Sequence, residues 1–134
     1  MVTHEQSELK LSLPARSENL ARLRRALADF TESLGADDEA VADVRLAVNE
    51  ACTNVVRHAY HDGGEIEIEA RPVGDHLVVV VHDRGRGLDH PTEDPGTGLG
   101  LRVASALAEA IEIRNSGVGT EVRLSFALSG RRAA

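Results

Sequence analysis

The 134-residue chain has the length of one domain around one core, and its 42% hydrophobic and 28% charged residues are those of a globular rather than a disordered sequence. Two Phe, one Tyr and no Trp leave burial to Leu, Val, Ile and Ala and argue against base stacking, while 22 acidic against 15 basic residues give a net charge of −7 that repels a phosphate backbone. Lys10 is the only lysine, so no glycine-rich segment ends in Lys, which removes the P-loop and argues against the ordinary protein-kinase strand lysine.

The single Cys52 forms no internal disulfide, and the first residues carry no basic segment followed by an apolar one. The longest strongly apolar run, Leu77 to Val81, is far short of the ~20 residues that span a bilayer. A cytoplasmic protein without direct nucleic-acid or membrane contact is expected, organised as one domain over residues 1–134 with a core at about 9–128.

In chain order, Leu9, Leu11 and Leu13 alternate with Lys10 and Ser12 before Pro14, which predicts a short first strand at a sheet edge. Over residues 17–34, Leu20, Leu23, Leu27, Phe30 and Leu34 recur at helical steps, with Ser17 as the expected start cap and Gly35 as the end. Arg22, Arg24 and Arg25 lie elsewhere around that helix, as a solvated face or a partner-binding patch. A second helix is predicted from Asp37-Asp38-Glu39 to about Tyr60, ended by Asp62-Gly63-Gly64.

Glu65 to Glu69 alternates Glu with Ile, a half-exposed strand, whereas Leu77 to Val81 is apolar throughout and reads as a central strand covered on both sides. Residues 84–98 change to Gly, Pro, Asp, His and Thr, the composition of a loop. Residues 99–110 read as a helix, Ile111 and Ile113 as a strand, Asn115-Ser116-Gly117 as a turn, and Val122 to Leu128 as a last strand.

Three elements have the chemistry of a site. On the second helix, Val41, Val44, Val48, Cys52 and Val55 form one apolar stripe, and Glu50, Asn54 and Arg57 fall roughly opposite. Glu50 and Asn54 are an i, i+4 pair, so a carboxylate and an amide oxygen reach one place, although a solvated helix face has the same composition. Asp83-Arg84-Gly85-Arg86-Gly87 follows the apolar strand and suits either a ligand-hugging loop or a plain turn. Gly96-Thr97-Gly98-Leu99-Gly100-Leu101 precedes a helix whose N–H groups suit phosphate, but its glycine spacing is not the dinucleotide fingerprint. His58, His61 and Asp62 read as a polar helix end rather than a metal site, and Cys52, on the apolar stripe, as a buried thiol.

Together with Gly119-Thr120 before the last strand, these elements in this order resemble the GHKL ATPase superfamily. Within it, Leu46-Ala47-Val48-Asn49-Glu50-Ala51-Cys52-Thr53-Asn54 and the run onward to Tyr60 resemble the serine-kinase anti-sigma factors of bacterial stress and sporulation switches. The resemblance covers roughly residues 9–128 and implies an α/β two-layer sandwich, a mixed, largely antiparallel sheet covered by helices on one face. It implies ATP and Mg²⁺ as cofactors, with Asn54 as the metal ligand and Glu50 as the base that orients or deprotonates the attacking hydroxyl.

By the same carry-over Asp83 receives the adenine amino group, Gly85 and Gly87 let the loop pass the base, Thr97, Gly98, Leu99 and Gly100 border the phosphates, and Thr120 belongs to the nucleotide site. The implied partners are a sigma factor and an anti-anti-sigma protein, the latter phosphorylated on serine, and a homodimer is implied. One departure stands out: before the second glycine motif, where these kinases carry a cation, His90 to Pro95 offers only histidine and acids, and Arg84 or Arg86 is left to substitute. A switch that binds nucleotide and sequesters a partner without phosphorylating it is the alternative.

Overall fold

The computed structural model describes residues 8–59, 64–83, 104, 106–115 and 120–129, with the backbone alone at 54–59, 83, 115 and 120. Strands β1 (Leu9–Pro14), β2 (Glu65–Val73), β3 (His76–Asp83), β4 (Ala110–Asn115) and β5 (Thr120–Ala127) form one sheet in the order β1-β2-β3-β5-β4. Helices α1 (Ser17–Ser33) and α2 (Asp38–Ala59) lie between β1 and β2 in the chain. All four described strand pairings are antiparallel, so the largely antiparallel sheet is present and the parallel member of a mixed sheet is not among the described pairs.

Alternation builds the inner face of the sheet. Ile68, Val81 and Val122 stand side by side across β2, β3 and β5, as do Ala70, Val79 and Leu124, and all are buried. Leu23, Leu27 and Phe30 of α1 and Val44, Val48 and Cys52 of α2 belong to the same core. Fully burying each Leu, Val or Phe is favourable by about 1.5–3 kcal/mol, so aliphatic side chains sustain a core that has two Phe and no Trp.

β1 is an edge strand and β3 is central, as expected. Among the described residues the helices cover only one side of the apolar run of β3: α1 and α2 share a core with its Leu77, Val79 and Val81, while Val78 and Val80 point to the other face. Val80 is still only 8% exposed, because its register places it between Glu69 of β2 and Arg123 of β5. The aliphatic stems of such long charged side chains cover an apolar neighbour, and the sequence pattern does not separate that cover from a second layer.

Helix ends correct several expectations. Ser17 is the first residue of α1 rather than its cap; Arg16 holds the cap position in extended conformation, without a side-chain cap bond. Gly35 does follow the helix at φ +86°, a conformation costly for other residues. Asp37 caps α2, its Oδ1 accepting the Ala40 N–H at 2.8 Å. The helix expected over 99–110 stops earlier, since Ala104, Ala106 and Leu107 are helical but Ala110 already belongs to β4. β2 and β3 run longer than expected and meet at Gly74-Asp75, where Gly74 has φ +64°, as a two-residue hairpin turn requires.

That turn is tied to the start of β4. His76 bonds Asp75 Oδ1 through Nδ1 and Glu109 Oε1 through Nε2, each at 2.7 Å. The bond to Glu109 first, and that to Asp75 second, raise the imidazole pKa above its ordinary value.

Candidate active site

The orientation of α2 fixes the site. Ala40, Val44, Ala47, Val48, Ala51 and Cys52 face the core, which pins the helix roll and leaves Asn49, Glu50 and Thr53 half-buried on its flank. Glu50 is therefore neither a core residue nor a fully solvated one. Asn54 follows one turn later on the same helix backbone. Thr53 donates its Oγ1 hydrogen to the Asn49 carbonyl at 2.7 Å, satisfying a hydroxyl within the helix.

The sheet brings two more predicted residues together. Asp83, the last residue of β3, is the cross-strand partner of both Ile66 on β2 and Thr120 on β5. Sequence spacing does not pair Asp83 with Thr120; the antiparallel register does. The helix pair reaches the same end of the sheet, because α2 stops at Ala59 and β2 begins at Glu65 beside that register position. A connection of this length spans at most about 20 Å, so the C-terminal half of α2 lies at the end where Asp83 and Thr120 stand.

Gly85, Gly87, Thr97, Gly98, Leu99 and Gly100 lie outside the described residues, as do the whole segment from Arg84 to Gly100, His61 and Asp62. His58 is part of α2. Among the described residues there is no group of His, Cys, Asp and Glu able to hold a metal. Cys52 is buried, as expected, and burial pushes its thiol up to about 12, with Arg24 opposing that shift, so it carries no nucleophilic role.

One arrangement near the site has no signal in the sequence. Arg24 of α1 donates from Nη1 to Asn49 Oδ1 of α2 at 2.7 Å, which locks the two helices together next to Glu50. Of the three arginines read as a patch, Arg22 and Arg25 are exposed and Arg24 is half-buried. A helical wheel of α1 does not say which of its flanks meets α2, so this contact was not legible.

The family model described as "Histidine kinase-like ATPase domain" matches residues 13–126, nearly the whole chain. The chain belongs to this family. It is 30% identical over 134 residues to the serine-protein kinase RsbW of Halalkalibacterium halodurans, covering 88% of this chain and 83% of that one. It is 32% identical over 122 residues to the serine-protein kinase RsbW of Bacillus cereus strain Q1, covering 79% and 76%. Among solved structures, the RsbU and RsbW domains of Rv1364c from Mycobacterium tuberculosis superpose with a TM-score of 0.73 at 27% identity, over 90% of this chain and 32% of that longer one. Within the histidine kinase-like ATPase domains the chain therefore groups with the RsbW serine-protein kinases.

None of the described helices of this family member is long and apolar enough to cross a membrane.

Proposed function

We propose that the protein transfers the γ-phosphoryl group of ATP to a serine of an anti-anti-sigma protein, and that in the alternative engagement it holds a sigma factor. The observation that carries this reading is convergence: Glu50 and Asn54, one turn apart on α2, lie toward the sheet end at which Asp83 and Thr120 are cross-strand partners.

The donor set suits the nucleotide. By residue type, Asn54 offers a neutral oxygen to a hard cation, Asp83 an acceptor for an exocyclic amino group, and Thr120, its cross-strand partner, a hydroxyl. Mg²⁺-ATP supplies the transferable phosphoryl group, and its cation offsets repulsion between the triphosphate and a chain of net charge −7. Glu50, half-buried and fixed by the roll of α2, orients the partner's serine hydroxyl and accepts its proton at a carboxylate oxygen. The glycine segments at Gly85 and Gly87 and at Thr97, Gly98, Leu99 and Gly100 border base and phosphates in this reading.

Charge also explains the switch. A phosphoserine adds about −1.5 to −2 charge to the partner, and a chain of net charge −7 then repels it, so the phosphorylated protein leaves. The reading includes a homodimer in the cytoplasm.

The test is transfer from γ-labelled Mg²⁺-ATP to the anti-anti-sigma protein of the same cell. Label on a partner serine is expected. Nucleotide binding with partner capture but no label would mean a non-catalytic sequestering switch, the reading favoured by the absence of Lys and Arg from residues 90–95.

A further inference from the structure

On the side of α1 and α2 away from the sheet lies an open groove of about 300 Å³, lined by Arg24, Ala42, Arg45, Leu46 and Asn49. Nothing proposed for the nucleotide site uses it. Among the described residues no acidic side chain lines it, although the chain as a whole is strongly acidic. Among the described residues neither Arg24 nor Arg45 has a carboxylate within ion-pair distance.

The groove is also preorganised. Arg24 is held by its bond to Asn49 Oδ1, so its guanidinium gives up little freedom on meeting a ligand. With Oδ1 occupied, Asn49 has its Nδ2 hydrogens left to donate. Leu46, 47% exposed, adds an aliphatic surface between these donors. Two guanidiniums, an amide donor and one aliphatic side chain complement a carboxylate next to an apolar residue on a polypeptide. A nucleic-acid backbone needs a longer run of cations and meets a net charge of −7.

We propose that this groove is the docking subsite for the protein substrate of the kinase reading, on which the inference rests, and that it takes an Asp or Glu two or three residues from the acceptor serine. The axial rise sets the scale. Arg45 precedes Glu50 by about 7.5 Å along the axis at 1.5 Å per residue and stands about 140° around it, an offset left to the long, exposed Arg45 side chain, and an extended chain advances about 3.3 Å per residue. Leu46 lies one turn before Glu50 on nearly the same face, so a segment crossing the groove leads toward the base.

The experiment uses the full chain, Mg²⁺-ATP and the anti-anti-sigma protein of the same cell, with the acceptor serine located by mass spectrometry. Arg45 is exposed, so Arg45→Glu is expected to fold normally. It should raise KM for the protein substrate roughly tenfold, leave KM for ATP unchanged, and be largely rescued by Arg45→Lys. Replacing the substrate's acidic residue by Ala should weaken wild type by a similar factor and Arg45→Glu hardly at all.

An unchanged protein KM in Arg45→Glu, or an efficiently phosphorylated serine with no Asp or Glu within three residues, would overturn the subsite while leaving the kinase reading intact. A change in oligomeric state instead of KM would assign the groove to a second copy and also overturn it. Absence of any transfer by wild type would overturn the kinase reading and the subsite with it.

Discussion

His76 couples an exposed hairpin to pH. Its ring is bonded on both sides by carboxylates, Glu109 and Asp75, which favour the protonated form and raise its pKa above the ordinary 6.5. A group with a raised folded pKa contributes stability that is fully present below its unfolded value and is lost as pH rises through the folded one. Asp75 is 93% exposed, so solvent screens the contact and the effect is small. Urea unfolding of wild type and His76→Gln should differ most near pH 6 and converge near pH 9, bracketing the histidine range by rough margins. A difference that is flat with pH, or grows toward alkaline pH, would contradict the assignment. Cys52, by contrast, sits one turn beyond Val48 on the buried stripe and contributes packing alone.

At the scale of elements, the legible parts are those in which one side chain decides. The period-two alternation of β2 and the three- and four-residue steps of α1 survive in the structure because burial of one face enforces them, and the acidic start of α2 because Asp37 caps the helix and Asp38 and Glu39 suit the positive end of its dipole. What was not legible depends on neighbours far away in the chain. Val80 has Glu69 and Arg123 as its register neighbours on the flanking strands, and the end of the helix before Ala110 is set by the pairing of β4 with β5. Ser17 fails as a cap because the chain leaving β1 makes its own turn, with Arg16 N bonded to the Pro14 carbonyl and Asn19 N to the Arg16 carbonyl.

The packing of α1 carries a direct consequence. Leu27 is fully buried within the shared core, so Leu27→Ala loses transfer free energy and leaves a cavity. Chemical denaturation should show a loss of about 2–5 kcal/mol; a loss under 1 kcal/mol would mean that α1 is not packed on the sheet as described.

For the whole molecule, function is a matter of which ends meet. α2 carries Glu50 and Asn54 toward the end of the sheet at which the β3–β5 register sets Asp83 opposite Thr120. The order of the three elements that carry these residues is readable from the sequence. That α2 and the β3–β5 register lead to one end of the sheet is not readable from it, since that needs the register and the short return from Ala59 to Glu65. The Arg24–Asn49 contact was hidden for the same reason, being a choice of helix flank made by packing.

If Asp83 receives the adenine amino group, Asp83→Asn turns part of an acceptor into a donor at a polar contact. Calorimetry should then show ATP binding weaker by about 1–3 kcal/mol, whereas equal affinity would remove Asp83 from the site.

Whether α2 presents Glu50 as the base for a partner's serine is decided by measuring phosphoryl transfer and ATP affinity side by side in Glu50→Ala. Transfer slower by roughly 10²–10⁴-fold, the usual weight of a positioned general base, is expected, with ATP affinity nearly intact. Transfer at the wild-type rate would contradict that role.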